Sequence, residues 1–201
     1  MKAKNMDGNH QGLLLVISGP SGVGKTTVTK QVIEQLNAAF SISMTTRPKT
    51  HEDVEGRDYF FVSEEEFKAA IKDGKMLEWA DVFGNLYGTP RDAAIERLNQ
   101  GELVILEIDV EGAIQVKENM PEVFSIFILP PSEEELLNRL RGRGREAEEI
   151  IMRRFAKSKA EIERAKESNI YDCFLTNDDL EDTIAEAVRV ITDERTRRSK
   201  K

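Results

Sequence analysis

LLLVISGPSGVGKT, Leu13 to Thr26, decides the fold of this 201-residue chain. Leu13 to Ser18 is short, continuously apolar and rich in branched side chains, the pattern of a strand buried on both faces. Gly19 to Thr26 then satisfies G-x-x-x-x-G-K-[ST]. From Lys25 to Leu36 the apolar residues Val28, Val32, Ile33 and Leu36 recur at helical spacing. Strand, glycine turn and helix together open an α/β unit. Glycines let the backbone curl until its N–H groups point at phosphate oxygens, and the helix turns the positive end of its dipole toward the same anion. Lys25 adds a mobile charge for β- and γ-phosphates, and Thr26 offers a hydroxyl to Mg²⁺. The motif therefore implies a nucleoside triphosphate with magnesium. It says nothing of what receives the phosphoryl group.

Outward from this loop, Leu103 to Ile108 reads as a second apolar strand that ends in Asp109. Glu107 and Asp109 lie two apart, hence on one face, near the carboxyl end where open α/β sheets bind ligands. Asp109 suits either the water shell of a magnesium ion or a simple cap at the strand end. Glu107, inside an apolar strand, needs a partner. Val123 to Leu129 is a further buried strand, stopped by Pro130 and Pro131. Ser132 caps a helix with Glu135 at capping-box spacing. A long helix is expected from Ala147 to Ser168, a short strand over Cys173 to Thr176, and an amphipathic helix from Leu180 to about Ile191. Thr196 to Lys201 reads as a solvated basic tail and Met1 to Gly12 as a loose one. Between Ser41 and Gln100 the pattern changes to short aromatic runs, turn formers (Arg47-Pro48, Glu55-Gly56, Phe83-Gly84-Asn85) and two short helices, Glu64 to Asp73 and Arg91 to Gln100. Ser63 and Glu66 form a candidate capping box there.

Lys and Arg number 29 against 37 Asp and Glu, a net charge of −8 at pH 7. That balance argues against nucleic acid or an anionic membrane as partner, while leaving room for a local basic pocket. With 39% apolar residues the chain can bury a core. The single cysteine, Cys173, forms no internal disulfide or multi-cysteine metal site. No run approaches the ~18 apolar residues of a membrane span, and none resembles a secretory signal, so a soluble cytoplasmic protein is expected. A homo-oligomer is compatible with the sequence.

Several segments together resemble the guanylate kinases: GPSGVGKTT, SISMTTR with EGRDYFF, LEWADVFGNLYGT, LEIDVEG, IFILPPSEEELLNRLRGRG and TNDDL. They run from Leu13 to Ile191, nearly the whole chain. The resemblance implies an α/β P-loop fold: a three-layer core with a parallel sheet (residues 13–40, 101–130 and 159–201), an inserted mixed α/β GMP-binding lobe (41–100) and a helical lid (131–158), behind a flexible tail (1–12). It implies ATP and GMP as substrates, ADP and GDP as products, and Mg²⁺ as cofactor. Gly19, Pro20, Ser21, Gly22, Val23, Gly24, Lys25, Thr26 and Thr27 would hold ATP, with Asn177 on its adenine side; an Asx turn is the alternative role for Asn177.

Guanine presents a ring N–H and an amine beside a carbonyl, a pair of donors that suits a carboxylate, whereas adenine would leave that carboxylate unpaired. Glu78, an acid in the otherwise apolar Met76-Leu77-Glu78-Trp79, is by resemblance that carboxylate. Ser43 and Thr89 take the hydroxyl positions at the base, next to Gly88. Arg47, Tyr59 and Tyr87 take the acceptor phosphate, although Tyr59 also fits a core position and Arg47 a surface one. Glu107 is assigned to GMP, and Asp109 to GMP and the waters of the metal, with Thr26 bound to it directly. One position departs from the family: in RPKTHED, Arg47 to Asp53, Thr50 stands where a second phosphate arginine is usual. Lys49 or Arg57 would have to replace it, as a point charge in the case of Lys49.

Arg139 and Arg143 lie four apart on one helical face, and Arg154 follows on the next helix. By resemblance these arginines close over the transferring group, with Lys25 and Arg47 completing the catalytic set. Two rival functions are a non-catalytic guanylate-kinase-like binding module and a kinase for another nucleoside monophosphate. Retention of Lys25, Arg139 and Arg143 weighs against the first, and Glu78 with Ser43 against the second.

Overall fold

A computed structural model describes residues 12–142 and 147–200. The core is a five-stranded sheet of β1 (Leu13–Ser18), β2 (Ala39–Phe40), β7 (Leu103–Glu107), β8 (Phe124–Leu129) and β9 (Cys173–Thr176), in the order β2-β7-β1-β8-β9. Every pairing in it is parallel. All six residues of β1 are buried, because alternate side chains feed two different layers. Leu13, Leu15 and Ile17 pack with α1 (Lys25–Leu36) and α7 (Leu180–Ser199) through Val28, Val32, Ile184 and Ile191. Leu14 and Val16 pack on the other side with Ala94 of α3 (Arg91–Asn99) and with Ala113 and Val116 of α4 (Val110–Asn119). Each Val, Leu or Ile side chain among them contributes ~1.5–3 kcal/mol by leaving water. This is the expected three-layer arrangement. Its central strand has β7 on one side and β8 on the other, the switch point at which a ligand crevice opens.

Between β2 and β7 a second sheet is inserted, of order β4-β3-β6-β5: β3 (Met44–Thr45), β4 (Phe60–Phe61), β5 (Met76–Val82) and β6 (Asn85–Pro90). α2 (Glu64–Lys72) begins at the expected capping box, in which Ser63 and Glu66 bond reciprocally. α5 (Glu133–Gly142) realises only half of one. The Glu135 N–H donates to Ser132 Oγ (3.0 Å), but the Glu135 carboxylate turns to Arg139. α6 runs unbroken from Glu148 to Ser168, so the division expected at residue 158 falls inside a single helix.

The two tails read differently in three dimensions. α7 continues to Ser199 rather than ending near Ile191. Glu194 holds Arg197 and Arg198 at 2.7 and 2.6 Å, and Arg198 donates onward to the Glu122 carbonyl (2.7 Å), so most of the supposed solvated tail is a salt-bridged helix end. Gly12 belongs to the folded body, since a Cβ there would stand 2.1 Å from the Leu98 carbonyl oxygen. Among the described residues, no helix is long and apolar enough to cross a membrane.

Candidate active site

The loop after β1 closes over a cleft of about 270 Å³ lined by Gly19, Pro20, Ser21, Gly22, Gly24, Lys25, Thr26, Thr27, Asp109 and Glu161. Gly24 is the N-cap of α1 at φ 93° and no side chain caps the helix, which leaves its first turn turned toward the cleft. A side chain at Gly24 would also meet Asn177 Nδ2 at 2.5 Å. Lys25 Nζ donates to the Gly19 carbonyl (2.7 Å) across the mouth of the loop. The Thr26 hydroxyl donates to Glu107 Oε1 (2.6 Å). Glu107, expected on the GMP side, thus finds its partner on the phosphate loop.

Asp109 N-caps α4, accepting the Gly112 N–H (2.9 Å), which realises the capping role, and it lines the cleft as well. Asn177 is buried behind the loop. Its amide donates to the Val23 carbonyl (2.7 Å) and its amide oxygen accepts from Thr183 (3.2 Å), so the side chain is engaged as a strut rather than turned outward. Arg139 donates to Glu135 (2.8 Å) and to the Asn177 carbonyl (3.0 Å). Arg154 reaches the loop, donating to Ser21 Oγ (2.8 Å). Arg143 and Arg145 lie outside the described residues. Arg141 pairs with Glu148.

The second sheet positions the other residues. Thr45 Oγ1 donates to the Leu86 carbonyl (2.9 Å) and the Leu86 N–H donates to Thr46 Oγ1 (2.9 Å). These two hydroxyls zip β3 to β6 and bring Arg47 to the aromatic wall of Tyr59, Phe61 and Tyr87. The Arg47 guanidinium stands 5.5 Å from the Tyr59 ring, and Tyr59 and Tyr87 meet edge to face at 5.7 Å. Burial pushes the Tyr59 hydroxyl above its ordinary value. Arg47 is held bidentately by Asp53 (2.9 and 3.0 Å), and the Thr50 N–H and hydroxyl both donate to the same carboxylate (2.7 Å each). Those bonds, Arg47's first, hold the Asp53 carboxyl well below the usual carboxylate range.

Glu78 sits on β5, only 7% exposed. Thr89 on β6 donates to its Oε1 (2.6 Å). Its Oε2 lies 3.1 Å from where a Cβ on Gly112 would stand, and Asp109 Oδ1 lies 3.5 Å from the same point. Glycine at 112 therefore keeps open the ground between the two carboxylates. Burial raises the Glu78 pKa above normal; the Thr89 hydroxyl opposes that shift and the Asp109 charge adds to it. Ser43 is half-buried, its carbonyl taken by the Phe60 N–H (2.9 Å). Gly88 has no room for a side chain, with the Glu78 carbonyl oxygen 2.6 Å from its would-be Cβ. The glycine-rich loop and a buried carboxylate thus flank Asp109 from two sides.

The guanylate kinase family model matches residues 11–194. The chain belongs to the guanylate kinase family. A guanylate kinase of Clostridium tetani is 47% identical over 187 residues, covering 93% of this chain and 88% of its own length. One from Thermosynechococcus vestitus is 49% identical over 174 residues, 86% of this chain and 90% of its own. The crystal structure of guanylate kinase from Anaplasma phagocytophilum superposes with a TM-score of 0.70 at 35% identity, covering 92% of this chain and 87% of that one.

Three residues of this guanylate kinase site escaped the sequence reading. Asp53 clamps Arg47, Glu135 orients Arg139, and Glu161 lines the phosphate cleft, its pKa raised chiefly by burial. Glu161 lies seven residues beyond Arg154 in α6, a two-turn spacing that puts both on one face and was open to detection. Glu135 stands four residues before Arg139 on α5, the spacing of a helical ion pair, and was open to detection too. Asp53 lies outside any helix or strand, so no periodicity reports its pairing with Arg47.

Proposed function

We propose that the chain transfers the γ-phosphoryl group of ATP to GMP, giving ADP and GDP, in guanine nucleotide metabolism of the cytoplasm. The observation that carries this reading is the buried Glu78 carboxylate. It is anchored by Thr89 on one oxygen and opens toward Asp109 at the phosphate cleft with the other. A carboxylate costs free energy in that setting unless two donors meet it, and the guanine edge supplies two. Adenine turns an acceptor to the same place and is rejected.

GMP needs no general base. Its phosphate, with a second pKa of ~6, is largely dianionic at neutral pH and attacks the γ-phosphorus directly. The protein's part is to align two polyanions and offset their charge. Lys25 and the loop amides bind the donor phosphates, Arg47 with Tyr59 and Tyr87 the acceptor phosphate. Arg139, Arg143 and Arg154 exclude water and meet the charge of the transferring group, residues 131–158 acting as a lid over the core and 41–100 as the acceptor lobe. The donor set also suits magnesium: the Thr26 hydroxyl would hold the ion directly and the Asp109 carboxylate its waters, both being hard oxygen donors in the lining of the cleft. Among the described residues no group of three or more His, Cys, Asp or Glu could hold a metal by itself, which fits an ion shared with nucleotide phosphates. When bound, that ion would offset the negative charge of the nucleotide phosphates.

A coupled ADP-release assay with GMP, AMP, UMP and dTMP tests the assignment. GMP is expected to be the strongly preferred acceptor. Equal turnover of AMP refutes guanine selection, and no turnover of any of the four favours a binding module.

A further inference from the structure

The acceptor-phosphate pocket is short of positive charge. Arg47 is its obvious cation, yet the guanidinium is already matched by Asp53 through two hydrogen bonds. Thr50 brings no charge and gives both its donors to that same carboxylate. A monophosphate carrying about −1.5 to −2 at neutral pH would meet a neutral pair. Two other cations are near in sequence. Arg57 is engaged in an ion pair with Asp58 (2.8 Å). Lys49 is not: its Nζ stands 5.9 Å from the Phe61 ring centre, over the ring that Arg47 also covers at 5.4 Å, and among the described residues it has no carboxylate partner. Its long stem is exposed and free to swing.

We propose that Lys49 is the second cation of this pocket, moving from the face of Phe61 onto the phosphate of the acceptor nucleotide while Asp53 keeps Arg47 in place. This rests on GMP being the acceptor. Lys49 then restores a net positive charge that the Arg47–Asp53 pair lacks, as a point charge rather than a fork. Arg57 stays with Asp58 throughout.

Lys49→Met, Lys49→Arg and Arg57→Met, compared with the unaltered protein, test this through kcat, KM for both substrates, and calorimetric binding of GMP and of guanosine. Lys49→Met is expected to raise KM and Kd for GMP about tenfold, the loss of one charged hydrogen-bonding partner. KM for ATP and the binding of guanosine, which has no phosphate, should stay the same. Lys49→Arg should recover most of the loss, and Arg57→Met should cause none. The proposal is overturned by GMP binding that survives Lys49→Met unchanged, by guanosine weakening in parallel with GMP, or by Arg57→Met producing the defect instead. If the unaltered protein binds neither GMP nor guanosine, the acceptor assignment fails and takes Lys49 with it. If it binds GMP normally and Lys49→Met does too, Lys49 alone fails.

Discussion

In the proposed function, the Glu78 carboxylate serves binding at the expense of folding. Burial raises its pKa in the folded chain, so the unfolded state loses the proton first as pH rises, and the carboxylate destabilises the free protein above the ordinary carboxylate range. Glu78→Gln keeps an acceptor for the Thr89 hydroxyl and removes the charge. Its melting temperature should exceed that of the unaltered protein by a few degrees at pH 8, where ~1 kcal/mol moves a domain of this size by ~2–4 °C. The gain should shrink as pH falls through the carboxylate range. At the same time kcat/KM for GMP should drop about a hundredfold or more, since an amide sets a donor against guanine's donors. Thermal melts from pH 4 to 8 beside kinetics check both. A variant that is less stable at pH 8 would mean that the charge supports the fold.

The link between β9, α7 and the phosphate loop runs through Asn177, whose side chain joins Val23 to Thr183. Asn177→Ala should cost ~1–3 kcal/mol by stranding buried polar partners. It should lower the melting temperature and raise KM for ATP, with KM for GMP unchanged. An unaltered melting temperature with a changed preference among nucleoside triphosphates would instead make Asn177 a contact of the donor base. Such long-range struts explain what the sequence could and could not disclose. β1, the loop and α1 are contiguous, and each part announces itself by apolar runs, glycines and periodicity. α2 carries both members of its capping box. α4 was missed because its N-cap, Asp109, reads first as a strand-end acid and no Glu or Gln follows at the capping-box position. The β5–β6 hairpin was reduced to its turn, Phe83-Gly84, where both residues have positive φ (53° and 82°), because MLEWADV does not alternate cleanly. The last two turns of α7 rest on ion pairs, which hydrophobic spacing does not register.

Across the whole molecule, the parallel sheet puts the phosphate loop and the β7 carboxylates at one end, and the inserted sheet sets Glu78 against the same α4 N-terminus. The phosphate loop was legible because eight consecutive residues build it. The contacts of Glu78 with Gly112 and Asp109, like the bond from Thr26 to Glu107, are joined by the fold alone and were not legible in the sequence. The most direct measurement of two nucleotides meeting at Asp109 is a crystal structure of the chain with GMP and ADP-Mg²⁺. The expected result has the guanine N1 and amine within about 3 Å of the Glu78 carboxylate, Thr89 still bonded to its Oε1, and the ADP phosphates in the loop from Gly19 to Thr26. A GMP base bound away from Glu78, with that carboxylate still enclosed, would contradict it.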